Sequence, residues 1–339
     1  MGQNLMQKID IVYLWVDGSD KKWHAQKEKW LAQQTHQKSK KYISAGDERW
    51  RDNGELKYSL RSLAENVPWV NHIYIVTGFN QVPDWLNKKH PKITVVPHKT
   101  IFPHDALPTF NSTAIDMCLH NIPGLAERFL LLNDDMFFNR PLAPSFFFDR
   151  HGRARNLYVR RNVNYKRLGW ILDKTDVYRS KILLSAKKIH DVYGRKLYKL
   201  SPSHGIDAYV KSSWITCRNH PMIKPHIDKQ IYNKFRTNWE FQRWLFTLNQ
   251  YVHGHATFRR SHPHKSGRNK ILDSIYNTLH YFTTRRSPYL CSHVSGHEKS
   301  LSIAPIFCIN DSDQNTPEIL KANQDFLSKR FPTKSEFEK

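Results

Sequence analysis

Apolar residues along the chain fall into short, nearly unbroken blocks. IDIVYLWV (9–16), HIYIVTG (72–78), ITVVPH (93–98) and FLLLND (129–134) are rich in β-branched and aromatic residues. Continuous blocks of that length and type predict strands buried on both faces. Helical patterns separate them. KKWHAQKEKWLAQQ (21–34) carries Trp23, Trp30 and Leu31 at helical spacing, and NGELKYSLRSLAENV (53–67) sets Leu56, Leu60 and Leu63 on one side. STAIDMCLHNI (112–122) is also helix-like, with Ser112 as its expected N-cap. Strands alternating with helices at these intervals predict an α/β fold, a mostly parallel sheet with flanking helices, over residues 1–150.

Residues 151–339 read differently, as a more helical, basic second half. Helices are expected near 176–190, 226–235, 239–252 and 315–330, and HATFRRSHPHKSGRNK (255–270) reads as a polar, basic loop or lid. A boundary near residue 150 follows, with the alternative that both halves form one integrated catalytic domain.

Composition narrows the classes. The chain has 339 residues, 39% hydrophobic and 13% aromatic, enough for a substantial core. No run approaches the roughly 18 apolar residues of a membrane span. The N-terminal MGQNLMQKID lacks the apolar region of an export signal, and Met6 stands where a myristoylation signal requires Ser or Thr. The four cysteines (Cys118, Cys217, Cys291, Cys308) form no CxxC pair, which argues for reduced thiols and a cytoplasmic location. Fifty-three Lys and Arg against 30 Asp and Glu give a formal charge of +23. Such an excess predicts an anionic partner, either phosphate-bearing substrates or the inner face of an anionic membrane. No nucleic-acid signature accompanies the charge, so nucleic acid is not expected as a partner.

Chemistry concentrates at strand ends, where ligands of open parallel sheets bind. VDGSD follows the first strand, NDD follows the fourth, and FCINDSDQN (307–315) is a third apolar run ending in Asn310 and Asp311. Adjacent acids such as Asp134 and Asp135 suit Mg²⁺ or Mn²⁺, which take carboxylate oxygens together with substrate phosphates. DERWRDNGELKYSLRS (47–62) interleaves Arg49, Arg51, Lys57 and Arg61 with Asp52, Asn53 and Glu55. Lys57 and Arg61, four apart on a helix, share a face suited to phosphate oxygens. His204, His220 and His226 are candidate bases for an attacking hydroxyl. GxSxG, HExxH, P-loop and GxGxxG patterns are missing, which removes serine hydrolase, zincin, NTPase and dinucleotide readings.

In order along the chain, these segments resemble the Stealth family of sugar-phosphate transferases. IDIVYLWVDGSD resembles the first signature block, and RWRDNGELKYSLRSLAENVPWVNHIYIVTGFNQVPDWLN through LPTF to FLLLNDDMFF the second. RNHPMIKPHIDKQIYNKF resembles the third, and FCINDSDQNTPE with the closing FLSKRFPTKSEFE the fourth.

The resemblance implies a GT-A or Rossmann-like nucleotide-sugar fold. It also implies transfer of a sugar-1-phosphate from a nucleotide-diphosphate sugar to a glycan hydroxyl, in capsular or exopolysaccharide synthesis. The expected partners are a nucleotide-sugar donor and an acceptor oligo- or polysaccharide, with peripheral contact to the inner membrane face or the capsule-synthesis machinery. On that footing Asp17, Gly18 and Asp20 line the donor pocket, and Arg49, Lys57 and Arg61 hold the diphosphate. Asp52, Asn53 and Glu55 orient substrate, and Asp134 and Asp135 bind Mg²⁺ or Mn²⁺ with help from Asn310 and Asp311. His220 or His226 serves as base. The alternatives are a metal-dependent glycosyltransferase that releases UDP and, more distantly, a non-catalytic basic protein that binds polysaccharide or RNA.

Overall fold

In the computed structural model, the described residues are 8–35, 50–160, 177–203, 205–260, 289–291, 301–302, 304–309, 311 and 315–339. The first half runs β1 (Ile9–Leu14), α1 (Lys21–Thr35), α2 (Glu55–Asn66), β2 (Ile73–Thr77), β3 (Ile93–Pro97), α3 (His98–Ile101), α4 (Ser112–Cys118), β4 (Arg128–Asn133) and β5 (Met136–Phe138). There follow β6 (Ala154–Arg160), α5 (Val177–Tyr193), β7 (Leu200–Pro202), β8 (Asp207–Val210), α6 (Lys211–Arg218), α7 (Lys224–Gln230), α8 (Trp244–Val252), β9 (Ala256–Arg260), β10 (Tyr289–Cys291), β11 (Ile306–Cys308) and α9 (Pro317–Arg330).

The central sheet has the order β3-β2-β1-β4-β8. Its first four strands are parallel, and β8 closes the edge antiparallel to β4. The expected α/β architecture with a mostly parallel sheet is therefore the observed one. Its strands are covered on both faces, which explains why they read as unbroken apolar blocks. Ile11, Tyr13, Ile73, Ile75, Leu130 and Leu132 pack with Leu56, Leu60 and Leu63 of α2. Val12, Val76, Phe129 and Leu131 pack on the other face with Ile182, Trp214, Ile227 and Leu245. Asp10, fully buried in β1, is satisfied by the Asn71 side chain at 2.6 Å and the Ala126 amide at 2.7 Å.

Two smaller sheets complete the described structure. β5 pairs antiparallel with β11, which β10 joins, and β6 lies between β7 and β9. α2 fixes β5: Ser59 Oγ donates to the Met136 carbonyl at 2.5 Å, and Asn66 Nδ2 to that of Phe138 at 2.8 Å.

Several expectations shift. Asn111, not Ser112, caps α4, its Oδ1 accepting the Thr113 amide at 3.0 Å, while its Nδ2 is anchored on Glu240 at 2.9 Å. An amide can cap and be anchored at once, which a serine cannot do over that reach. The helix expected over 226–235 starts earlier, at Lys224, with Pro225 in its first turn, and ends at Gln230. The one expected over 239–252 begins only at Trp244. Within 255–270, residues 256–260 are strand β9, and 261–270 lie outside the described residues. No helix among the described residues is long and apolar enough to cross a membrane.

Candidate active site

Because β1 and β4 are parallel neighbours in register, with Leu14 opposite Asn133, the segments that follow them leave the sheet at the same edge. Asp17 and the Asp134–Asp135 pair are thereby brought to one end. Gly18 adds the next piece. Its amide donates to the Trp50 carbonyl at 2.7 Å, and a β-carbon there would lie 2.5 Å from that oxygen. Only glycine allows this approach, and it draws Asp52, Asn53 and Glu55 to the sheet edge. Gly54, at φ +81°, lets the chain turn from Asp52 into α2, and its amide donates to Asp52 Oδ1 at 2.8 Å.

Asn53 ties these pieces together. Its amide and Nδ2 donate to the two carboxylate oxygens of Glu55 at 2.7 and 2.8 Å, and Nδ2 also lies 3.4 Å from Asp311 Oδ2. Asp311 further accepts from Arg51 at 3.3 Å and from Asn315 at 2.7 Å. Cys308, at the end of β11, donates its thiol to Asp135 Oδ2 at 3.2 Å. The three acid-bearing segments expected from sequence therefore converge.

Their electrostatics follow from crowding. Burial, and then the charges of Asp135, Glu55 and Asp52, hold Asp134 well above the usual carboxylate range. Burial pushes Glu55 up to about 7 despite its bonds from Asn53. Asp52 is raised as well, by burial first and with Asp17 adding to it. Mutually repelling carboxylates at a strand end are the donor chemistry that a hard divalent cation fits. Among the described residues no three His, Cys, Asp or Glu side chains come close enough to enclose a metal on their own.

Other expected residues have partners of their own. Asp20 caps α1, its Oδ1 accepting the Trp23 amide at 2.7 Å. Arg61 turns away from the acids and forms a two-pronged pair with Glu338 at 2.8 Å for each prong, and it also donates to the Phe331 carbonyl. The i, i+4 reasoning placed Lys57 and Arg61 on one face correctly but could not show that the C-terminal segment already occupies the arginine. Lys57 stays within electrostatic reach of Asp52. His220 sits edge-on to Tyr193 at 5.6 Å, and His226 lies 3.2 Å from Lys188 Nζ; the contacts of both are with the α5–α7 region, not with the acids. Arg49, His204 and Asn310 lie outside the described residues.

A second buried charge cluster adjoins the acids. Arg243 Nε lies 3.1 Å from Asp207, its guanidinium 4.0 Å from Asp116, and its NH2 3.4 Å from Asn133 Oδ1, next to Asp134. Burial pushes Asp116 and Asp207 each up to about 6, and Arg243 pulls them back. Lys181 joins in through Glu240 at 3.1 Å and Thr113 at 2.7 Å. The signal was a lone charge inside an apolar run, in AIDMC, IDAYV and QRWLF, which demands a buried partner.

Comparison with known proteins follows these blocks. Residues 7–35 match the profile described as Stealth protein CR1, conserved region 1, and residues 49–156 that of Stealth protein CR2, conserved region 2. The capsular polysaccharide phosphotransferase cps1A of Actinobacillus pleuropneumoniae is 33% identical over 266 residues, covering 75% of this chain and 69% of that protein. The exopolysaccharide phosphotransferase cps2G of Lactiplantibacillus plantarum is 45% identical over 155 residues, covering 46% of this chain and 43% of that protein. The matched region thus spans less than half the length of cps2G. Among solved structures, the galactosyltransferase LgtC, in complex with donor and acceptor sugar analogues, superposes at TM-score 0.41 and 10% identity, over 94% of this chain and 95% of that one. With two conserved-region profiles matched in order and a relative aligned over most of both chains, this protein belongs to the Stealth family.

Proposed function

We propose that the chain transfers a sugar-1-phosphate from a nucleotide-diphosphate sugar, UDP-linked, to a hydroxyl of an acceptor glycan in capsular or exopolysaccharide synthesis. The observation that carries this reading is the convergence of Asp17, Asp52, Glu55, Asp134, Asp135 and Asp311 at one sheet edge in a Stealth chain. The names of its relatives support phosphotransfer as the chemistry.

In such a transfer the acceptor oxygen attacks the sugar-linked phosphorus. A new P–O bond forms, the P–O bond to the other phosphate breaks, and the nucleoside monophosphate leaves. Positioning and charge neutralisation dominate reactions of this type. Mg²⁺ or Mn²⁺, held by Asp134 and Asp135 with Asp311 close by, would supply neutralisation of the diphosphate. Lys57 and Arg51 are the cations beside these acids, and Arg243 steadies the end of β4 through Asn133. The acceptor proton goes to a carboxylate of the cluster, Asp52 or Glu55, whose affinity for protons burial has raised. This assigns to carboxylates the role that sequence reasoning gave to His220 or His226. The positive excess suits peripheral contact with an anionic membrane face, for which salt-reversible binding to anionic vesicles is the check.

The test is the leaving nucleotide. With UDP-sugar, divalent cation and acceptor, the expected product is UMP. UDP as the sole nucleotide would instead establish a glycosyltransferase.

A further inference from the structure

A second concavity lies between α5 and α7, away from the acidic edge. It is an open cleft of about 560 Å³, lined by Lys187, Lys188, His226, Lys229, Trp239 and Phe241, with Asp191 as the one acid among the described residues that line it. Its volume falls within the roughly 300–1,000 Å³ of small-ligand sites.

Trp239 is the unusual member. It is 65% exposed, although an indole ordinarily hides most of its surface. It is nonetheless held firmly, because its neighbours Asn238 and Glu240 are buried. Glu240 is fixed by Lys181 at 3.1 Å and by Asn111 and Asn233, each at 2.9 Å. The ring is therefore presented to solvent from an anchored backbone. Around it the charge is positive. Lys187 is already paired with Asp191 at 2.6 Å, whereas Lys188 reaches the His226 ring at 3.2 Å and the Met222 carbonyl at 3.3 Å and feels the Asp191 charge only at longer range. Gln230 binds both the amide and the carbonyl of Phe241 at 2.8 Å, which fixes the floor. Two residues beyond Phe241, Arg243 contacts Asn133 at the acidic edge, so the cleft connects to the candidate active site through a rigid segment.

A preorganised flat aromatic face beside ammonium groups matches one kind of ligand: a sugar ring that stacks on indole, flanked by phosphate. We propose that this cleft is a distal acceptor subsite, which holds the growing glycan some way behind its reacting end through a phosphodiester-linked sugar, with the ring face on Trp239 and the phosphate between Lys188 and Lys229. The assignment rests on the phosphotransfer reading, because each such transfer leaves a phosphodiester beside the sugar just added. It also gives His226 a place as a glycan contact.

Binding is measured by calorimetry at fixed ionic strength, with a phosphodiester-linked N-acetylhexosamine oligosaccharide and its neutral, glycosidically linked counterpart as probes. Trp239→Ala is expected to weaken both probes by about tenfold, the scale of one lost stacking contact. The Lys188→Ala/Lys229→Ala double variant is expected to weaken only the charged probe. In turnover, both variants are expected to raise the KM for acceptor far more than the KM for donor. Wild-type affinity for the charged probe in both variants overturns the proposal. So does displacement of that probe by phosphatidylglycerol vesicles with a matching loss of vesicle binding in both variants, which would mark the cleft as a membrane contact. The binding arm needs no catalysis. A negative result there leaves UMP release standing, and UDP release would fail the phosphotransfer reading while the preference for the charged probe is read independently.

Discussion

The amide of Gly18 donates to the carbonyl of Trp50 at 2.7 Å, and no β-carbon fits between them. This contact joins the segment after β1 to the segment that opens α2, and so sets Asp17 beside Asp52. Gly18→Ala must push the two apart. A stability loss of about 1–3 kcal/mol is expected, typical of overpacking at a fixed contact, with a larger proportional loss in turnover. Denaturant melts and initial rates check both.

Asp134 is crowded by Asp135, Glu55 and Asp52. In chelator, Asp134→Asn replaces, at nearly constant volume, a carboxyl whose ionisation burial and its acidic neighbours oppose, so the folded state should gain about 1 kcal/mol. Turnover with divalent cation should be lost. Asp135→Asn should likewise nearly abolish turnover in a folded protein. A thermal melt in chelator paired with a rate assay reads both, and full activity in either variant removes that residue from the site.

Arg243 compensates two buried acids. Arg243→Met leaves Asp207 without its cation and Asp116 with only the weaker pull of Arg236 and Lys181, and should cost about 3–5 kcal/mol at pH 7. The deficit should shrink at pH 5, where both acids can take up protons. Denaturation of wild type and variant at the two pH values checks the pattern.

His98 is buried, and burial alone pulls its value from 6.5 down to about 4. The folded state therefore keeps the imidazole neutral. Its contribution to stability is fully present above pH 6.5 and is lost as pH falls toward 4. The loss should reach about 2 kcal/mol by pH 5, at 1.36 kcal/mol per pKa unit. Glu55, raised to about 7, acts in the opposite direction, since its burial costs least when it is protonated. The difference in pH slope between wild type and His98→Gln isolates the histidine, and equal slopes would contradict this account.

The sequence by itself determined the four parallel strands of the central sheet, but not the antiparallel edge strand β8. Strands such as FLLLN are apolar without alternation because both faces are covered, and that pattern is local enough to read directly. It also located the acids, since strand ends are marked by the change from apolar to polar residues. Only tertiary structure decided which candidates meet. Asn53 and Asp311 are 258 residues apart and come within 3.4 Å because β11 pairs with β5, which no local period reveals. Arg61 was claimed by Glu338, 277 residues away. Arg243 carried the opposite lesson. One charge in an apolar run announces that a partner exists, but the fold alone names Asp116, Asp207 and Asn133 as that partner.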